Sequence, residues 1–241
     1  MQFDPRSVAR DIPGVLDELL PQLTPGIVAH FNSFSISFTI RPVLAELLLQ
    51  SRLQRAMLFE LGYTVGEQLI LGHTSINWPA CLSEAVRRQR VYFDASLPDA
   101  LTVLDHFLAE AVGRNLSGAV NAVSQERGQP VVIRPRVPGL EWIGTGHGDF
   151  SVGGTLIEVK CTAKRFSSAD YRQVAIYWLL SYAASIEGYG EEWEDFILLN
   201  PRSGEKVSMT FDSFLSIVGS GRTKVELLQL FLAMVGSRLT R

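Results

Sequence analysis

Cysteine is nearly absent from this chain: Cys81 and Cys161 are the two thiols among 241 residues. Two thiols exclude a disulfide framework, a four-cysteine zinc site and a cysteine-held iron–sulfur cluster, and they suit a reducing, cytoplasmic setting. Positive charge is also in short supply, with 22 Lys and Arg against 25 Asp and Glu and a net charge of −3. Bulk electrostatics therefore cannot hold a nucleic acid. A polyanionic substrate would need a metal ion, a local basic patch or a partner subunit to attract it. Long apolar runs are missing as well. The richest, Val43 to Leu49, is interrupted by Glu46 and is far below the roughly 20 residues that a membrane span requires. The opening MQFDPRSVARDIPG has no apolar stretch of the signal-peptide kind, and no internal repeat or low-complexity segment occurs. What remains is an ordinary soluble composition, 46% hydrophobic and 20% charged, long enough to bury a core.

The pattern along the chain predicts helices and strands in alternation. Residues 5 to 24 read as one or two short helices interrupted at Pro13. Phe34, Ile36, Phe38 and Ile40 alternate with Ser33, Ser35, Ser37 and Thr39, which predicts an amphipathic strand with one buried face. Pro42 can open a helix reaching about Gly62, residues 63 to 71 fit a further strand, and residues 80 to 90 a helix. That helix ends in Arg87-Arg88-Gln89-Arg90, either a solvated terminus that complements the helix dipole or a phosphate-contacting patch. Pro98 and Asp99 start a long helix to about Val123 whose apolar stripe includes Leu101, Leu104, Leu108 and Val112. Residues 130 to 135 read as a short strand. Ser167 with Asp170 resembles a capping box and opens a helix to about Ser185. A hairpin over 195 to 210 and two C-terminal helices close the chain. The order predicts an α/β fold with a mixed sheet between helices. It divides into a mainly helical N-terminal elaboration, residues 1 to 97, and a core over 98 to 241.

The stretch from Gly146 to Tyr177 carries the chemistry. Gly153-Gly154 between two β patterns signals a hairpin. If the glycines form the loop, Val152 pairs with Thr155, and counting outward sets Asp149 opposite Glu158. Directly opposed residues share a face, where two carboxylates repel. The period of two adds Lys160 to that face and sends Ile157, Val159 and Cys161 into a core. A cation between the carboxylates would make sense of the cluster.

Gly146-His147-Gly148-Asp149, then Glu158-Val159-Lys160, then Gln173-Val174-Ala175-Ile176-Tyr177 resembles the PD-(D/E)XK nuclease superfamily, in particular its RecB-type branch. The three motifs occur in the order and spacing of that branch, and the resemblance spans about residues 100 to 210. Gly148 stands where the strict motif has proline. The resemblance implies a restriction-endonuclease-like core, Mg²⁺ or Mn²⁺ as cofactor, no iron–sulfur cluster, and hydrolysis of phosphodiester bonds with DNA as the expected substrate. Restriction, phage defence, repair or a mobile element would be its setting. By resemblance the metal ligands are Asp149 and Glu158 with the Val159 carbonyl, completed from the upstream helix by Glu110, with His106 as rival and Glu126 behind it. Lys160 would orient or help deprotonate the attacking water, or stabilise the pentavalent charge, Gln173 would position Lys160 or the metal-bound water, and Tyr177 would support the surrounding shell. His147 could ligate or shuttle protons, and Arg134, Arg136, Lys164, Arg165 and Arg172 could touch phosphates. The other reading is a non-catalytic subunit on the same fold that binds nucleic acid or protein within a larger complex, or as a homo-oligomer.

Overall fold

The computed structural model describes residues 2–12, 14–90 and 98–237. The chain begins with three short helices, α1 (Pro5–Asp11), α2 (Val15–Leu19) and α3 (Pro25–Ser33), and a two-residue strand, β1 (Ile36–Ser37). Next come α4 (Ala45–Gln50), α5 (Arg55–Ile70), α6 (Trp78–Gln89) and the long α7 (Val103–Arg127). Five short strands follow: β2 (Val131–Ile133), β3 (Arg136–Val137), β4 (Gly146–His147), β5 (Phe150–Val152) and β6 (Thr155–Val159). The chain then forms α8 (Ser168–Ile186), β7 (Asp195–Asn200), β8 (Glu205–Thr210), α9 (Phe211–Val218) and α10 (Lys224–Ser237). No helix among the described residues is long and apolar enough to cross a membrane.

Six strands make one mixed sheet in the order β1-β8-β7-β6-β5-β2. Within this sheet, among the described residues, only β6 and β7 run parallel, with α8 as their crossover, as a parallel connection requires. Side chains of the central strands alternate between two cores. Leu156, Phe196, Leu198 and Val207 face α8 and the N- and C-terminal helices. Phe150, Val152, Ile157, Ile197 and Leu199 face α7. The protein is thus an α/β fold whose mixed sheet is flanked by helices.

A third cluster joins α4, α5, α6 and α7. There α5 and α7 approach so closely that a Cβ on Gly113 would lie 2.5 Å from Val65 Cγ1, and one on Gly66 2.8 Å from Leu116 Cδ2. Glycine is required at this crossing because nothing larger fits. The first hundred residues are therefore not a detached appendage: α5 packs on α7, α1 packs on α8, and β1 extends the sheet at β8. The boundary drawn near residue 97 lies outside the described residues.

Four local expectations are corrected. The alternating segment 33–40 is mostly not a strand: α3 runs to Ser33 to bury Phe31 and Asn32, and Ile36 and Phe34 are more than half exposed. The strand anticipated over 63–71 is the second half of α5, because Leu58, Leu61 and Val65 fall on one helical face against α7. The single helix from Pro42 to Gly62 is split at residues 51–54 into α4 and α5. The long helix starts at Val103 rather than Pro98, with Thr102 and Asp105 forming a reciprocal capping box. Pro13 falls outside the described residues.

Candidate functional site

The hairpin has the register that its sequence implies. Val152 pairs with Thr155, Ser151 with Leu156 and Phe150 with Ile157, and the next position outward brings Asp149 to Glu158. The Asp149 amide donates to Glu158 Oε1 at 3.2 Å, and the Val159 amide donates to Asp149 Oδ2 at 2.7 Å. Gly148 stands where a side chain has no room: a Cβ would come 2.9 Å from Leu156 Cδ1 and 3.4 Å from Glu158 Oε1. That close approach explains the glycine before the acid.

Glu158 is fully buried. Burial, and then the Asp149 carboxylate, push its pKa up to about 7, against the pull of Lys160 and Arg6. Its other oxygen accepts from Gln173 Nε2 at 2.7 Å and from Lys160 Nζ at 3.4 Å. Gln173, equally buried, is saturated. Its Nε2 also donates to the Tyr177 hydroxyl (3.1 Å), while its Oε1 accepts from Lys160 Nζ (2.9 Å) and Arg10 Nη2 (3.3 Å). Every donor and acceptor of the amide is used, so the amide's orientation follows from the network. Tyr177 donates onward to the His147 carbonyl at 3.4 Å, and burial raises its pKa. The i, i+4 spacing on α8 puts Gln173 and Tyr177 on one face. The Ser167–Asp170 capping box fixes where that helix begins, with Asp170 4.0 Å from Lys160 Nζ.

Asp149, Glu158, Lys160, Gln173 and Tyr177 are thus brought together. Asp149, Val159 and Lys160 line a cleft of about 770 Å³. Glu110 is not brought there. It is in an i, i+4 ion pair with Arg114 at 2.7 Å, and the residues lining the cleft include Phe59, Glu60 and Tyr63 of α5 but none of α7. His106 stacks on Trp78 at 4.2 Å, and Glu126 is exposed near the other end of α7. Cys161, expected in a core, instead forms part of the cleft wall, where burial pushes its thiol up to about 12. Arg172 is paired with Asp17, and Arg136 lines a different groove.

Sequence reasoning missed two sources of cleft residues. From α1 come Arg6, whose Nη2 lies 3.7 Å from Asp149 Oδ1, and Arg10, 4.0 Å from Asp170. Burial works against the Arg6 charge, but Asp149 and Glu158 more than offset it and raise its pKa. From α5 come Glu60 and Tyr63. Arg88, inside the basic run at the end of α6, is neither solvated nor open to phosphate: it bridges Glu60 (3.1 Å), Glu67 (2.6 Å) and Glu84 (2.7 Å). Burial raises the pKa of both Glu60 and Glu67, with Arg88 opposing. No periodicity could have announced these groups, since they lie roughly 60 to 140 residues from Asp149.

The cleft reverses the charge of the whole chain. Six arginines and two lysines line it against four acids, in a protein of net charge −3. Arg134, Lys164 and Arg165 are among those cations. Arg134 stands at φ 55°, a left-handed backbone unusual for a side-chain-bearing residue, and its amide donates to the Asp149 carbonyl at 2.9 Å.

The donor set can be tested against a metal ion. Among the described residues no three His, Cys, Asp or Glu side chains form a closed cage, which does not fit a structural zinc. The Asp149 carboxylate on a polar cleft, with the buried Glu158 carboxylate beside it, fits a hard cation of the Mg²⁺ kind, which keeps several waters and takes one or two carboxylates plus phosphate oxygens. No family model, curated protein or solved structure matches the chain.

Proposed function

We propose that the chain is a metal-dependent nuclease of the PD-(D/E)XK kind, hydrolysing phosphodiester bonds with DNA as its first substrate, on a restriction-endonuclease-like core. The observation that carries this reading is the closed network Asp149–Glu158–Lys160–Gln173–Tyr177 at the floor of a basic cleft. A buried carboxylate held high in pKa beside a second carboxylate is costly to maintain and marks a functional site. Arg6, Arg10, Arg134, Lys160, Lys164 and Arg165 around it supply the attraction for a polyanion that the whole-chain charge lacks.

In hydrolysis a water oxygen bonds to phosphorus, one bridging P–O bond breaks, the water loses a proton and the leaving oxygen gains one. A bound Mg²⁺ or Mn²⁺ would neutralise the phosphate and favour the deprotonated water, with Asp149, Glu158 and the Val159 carbonyl to hold it. Glu60, which lines the cleft, replaces Glu110 as the carboxylate contributed by an upstream helix. Lys160 is held by Gln173 and Glu158 with its ammonium at the cleft, where it orients the water and stabilises negative charge on the phosphate. Gln173 fixes Lys160 and Glu158 relative to one another, and Tyr177 fixes Gln173.

The test is cleavage of a plasmid and of a single-stranded oligonucleotide with Mg²⁺ or Mn²⁺. Activity should disappear in Glu158→Ala and Lys160→Ala. Cleavage by both variants at the parent rate would refute the assignment.

A further inference from the structure

The N-terminal helix α1 is fastened over the site. The Phe3 amide donates to the Trp142 carbonyl at 2.9 Å, the Gly144 amide donates to the Phe3 carbonyl at 2.8 Å, and the Phe3 ring meets Trp142 edge-on. Pro5 lies against Gly146 so tightly that a Cβ there would be 2.9 Å from its Cδ. Val8 and Ala9 are buried in the core shared with α8. A helix held at both faces presents its arginines at fixed positions.

Arg6 hydrogen-bonds the Tyr177 side chain and faces Asp149, and these two partners do not use all of its donors. Its Nη2 stands 3.7 Å from Asp149 Oδ1, well beyond the roughly 2.7–2.9 Å of a committed charge-assisted hydrogen bond. Its side chain is 38% exposed and lines the cleft. A guanidinium carries five N–H donors in a planar fork matched to phosphate oxygens, so donors remain for an acceptor in the cleft. Charge counting agrees. Asp149, Glu158 and Asp170 are matched by Arg6, Arg10 and Lys160, so a dication added to this cluster would leave a positive excess that an anionic phosphodiester reduces.

We propose that Arg6 is a further catalytic residue: its guanidinium binds a non-bridging oxygen of the phosphodiester held beside Asp149 and Glu158. The inference rests on the nuclease reading above and adds to it a phosphate contact from the N-terminal helix. A merely structural Arg6 would neutralise Asp149 and nothing more.

The test uses the full chain with Arg6→Ala and Arg6→Lys. Oligonucleotide turnover with Mn²⁺ should fall about 100-fold or more in Arg6→Ala, the scale of losing one transition-state donor. Guanidinium chloride, but not sodium chloride of equal strength, should restore part of it. Fluorescence anisotropy in EDTA should show weaker oligonucleotide binding by Arg6→Ala, with Arg6→Lys in between. Mn²⁺ affinity by calorimetry should stay the same or tighten, since a cation beside the ligands has gone. Turnover and binding equal to the parent would overturn the proposal. So would a loss of turnover without guanidinium rescue and with weakened Mn²⁺ binding, which is the structural outcome. If the parent cleaves nothing, the nuclease reading fails, and anisotropy alone decides whether Arg6 contacts phosphate.

Discussion

Replacing Glu158 by glutamine separates stability from function, because the two should move in opposite directions. The carboxyl is held at about 7 in the fold against an ordinary value of 4.5, through burial and the neighbouring Asp149. A raised carboxyl stabilises the fold fully below pH 4.5, where it is protonated in both states, and that contribution is lost as pH rises through 7. Without metal, the chain therefore carries a penalty of about 3 kcal/mol at pH 8 and under about 1 kcal/mol at pH 5. Glutamine keeps the shape and never ionises. It loses one of the two acceptor oxygens that serve the Asp149 amide and Gln173 Nε2, at a cost of about 1 kcal/mol. That cost is similar at both pH values, since the protonated carboxyl also presents a hydroxyl there. Relative to the parent, Glu158→Gln should gain about 2 kcal/mol at pH 8 and lose slightly at pH 5, a swing on the order of 2–3 kcal/mol. Urea unfolding in EDTA at the two pH values measures it. Mn²⁺ should then stabilise the parent at pH 8 by mass action and leave the variant unmoved. A stability difference independent of pH would refute the reasoning, because it would mean that Glu158 does not carry a buried, displaced titration.

The same displaced carboxyl makes metal binding pH-dependent: Mn²⁺ affinity should rise between pH 6 and 8 as Glu158 sheds its proton. Calorimetry in two buffers of different ionisation enthalpy should detect that proton, and a flat profile would remove Glu158 from the ligand set. Gly113→Ala should destabilise by about 1–3 kcal/mol, because its Cβ would sit 2.5 Å from Val65 Cγ1 and 2.9 Å from the Gly62 carbonyl; an unchanged urea midpoint would contradict the close α5–α7 contact. Arg88→Met should cost about 3 kcal/mol at pH 8, less at pH 5 where Glu60 and Glu67 take up protons more readily than ordinary carboxylates. Equal losses at both pH values would show that those acids are not stranded by the change. Glu110→Gln should leave Mn²⁺ affinity intact and cost at most about 0.5 kcal/mol, the value of its exposed i, i+4 pair with Arg114. A loss of Mn²⁺ binding would return Glu110 to the site.

What could be read from the residues was whatever depends on short range. The hairpin register followed from two glycines and a period of two, and it brought Asp149 to Glu158 with nothing else assumed. The capping box at Ser167 and the i, i+4 pair on α8 were local in the same sense. The failures lie where a tertiary partner overrides a local pattern. The segment from Ser33 to Ile40 alternates as a strand should, yet Phe31 and Asn32 are committed to the α8 side, Phe31 against Tyr171 and Asn32 to the Phe166 carbonyl, and only two residues remain to pair with β8. Tyr63, Thr64 and Val65 have strand-like side chains, but Gly62, Gly66 and Gly113 let α5 sink into α7, and the helix wins through that contact.

The same contact explains why Glu110 does not line the cleft. Proximity in sequence favoured Glu110, on the helix immediately before the hairpin. Once α5 lies on α7, however, it is α5 that faces the cleft, and Glu60 and Tyr63 take the position that α7 would otherwise hold. Arg6 and Arg10 reach the cluster by a still longer path, through α1 and its attachment at Trp142 and Gly144. A charge 143 residues away carries no periodic signal, so its role could only emerge from packing. The floor of the cleft is thus encoded locally on the hairpin and α8, while its walls are encoded by glycines that set how closely two helices meet. Substitutions at Gly113 or Gly146 should consequently alter the site without touching any group that does chemistry.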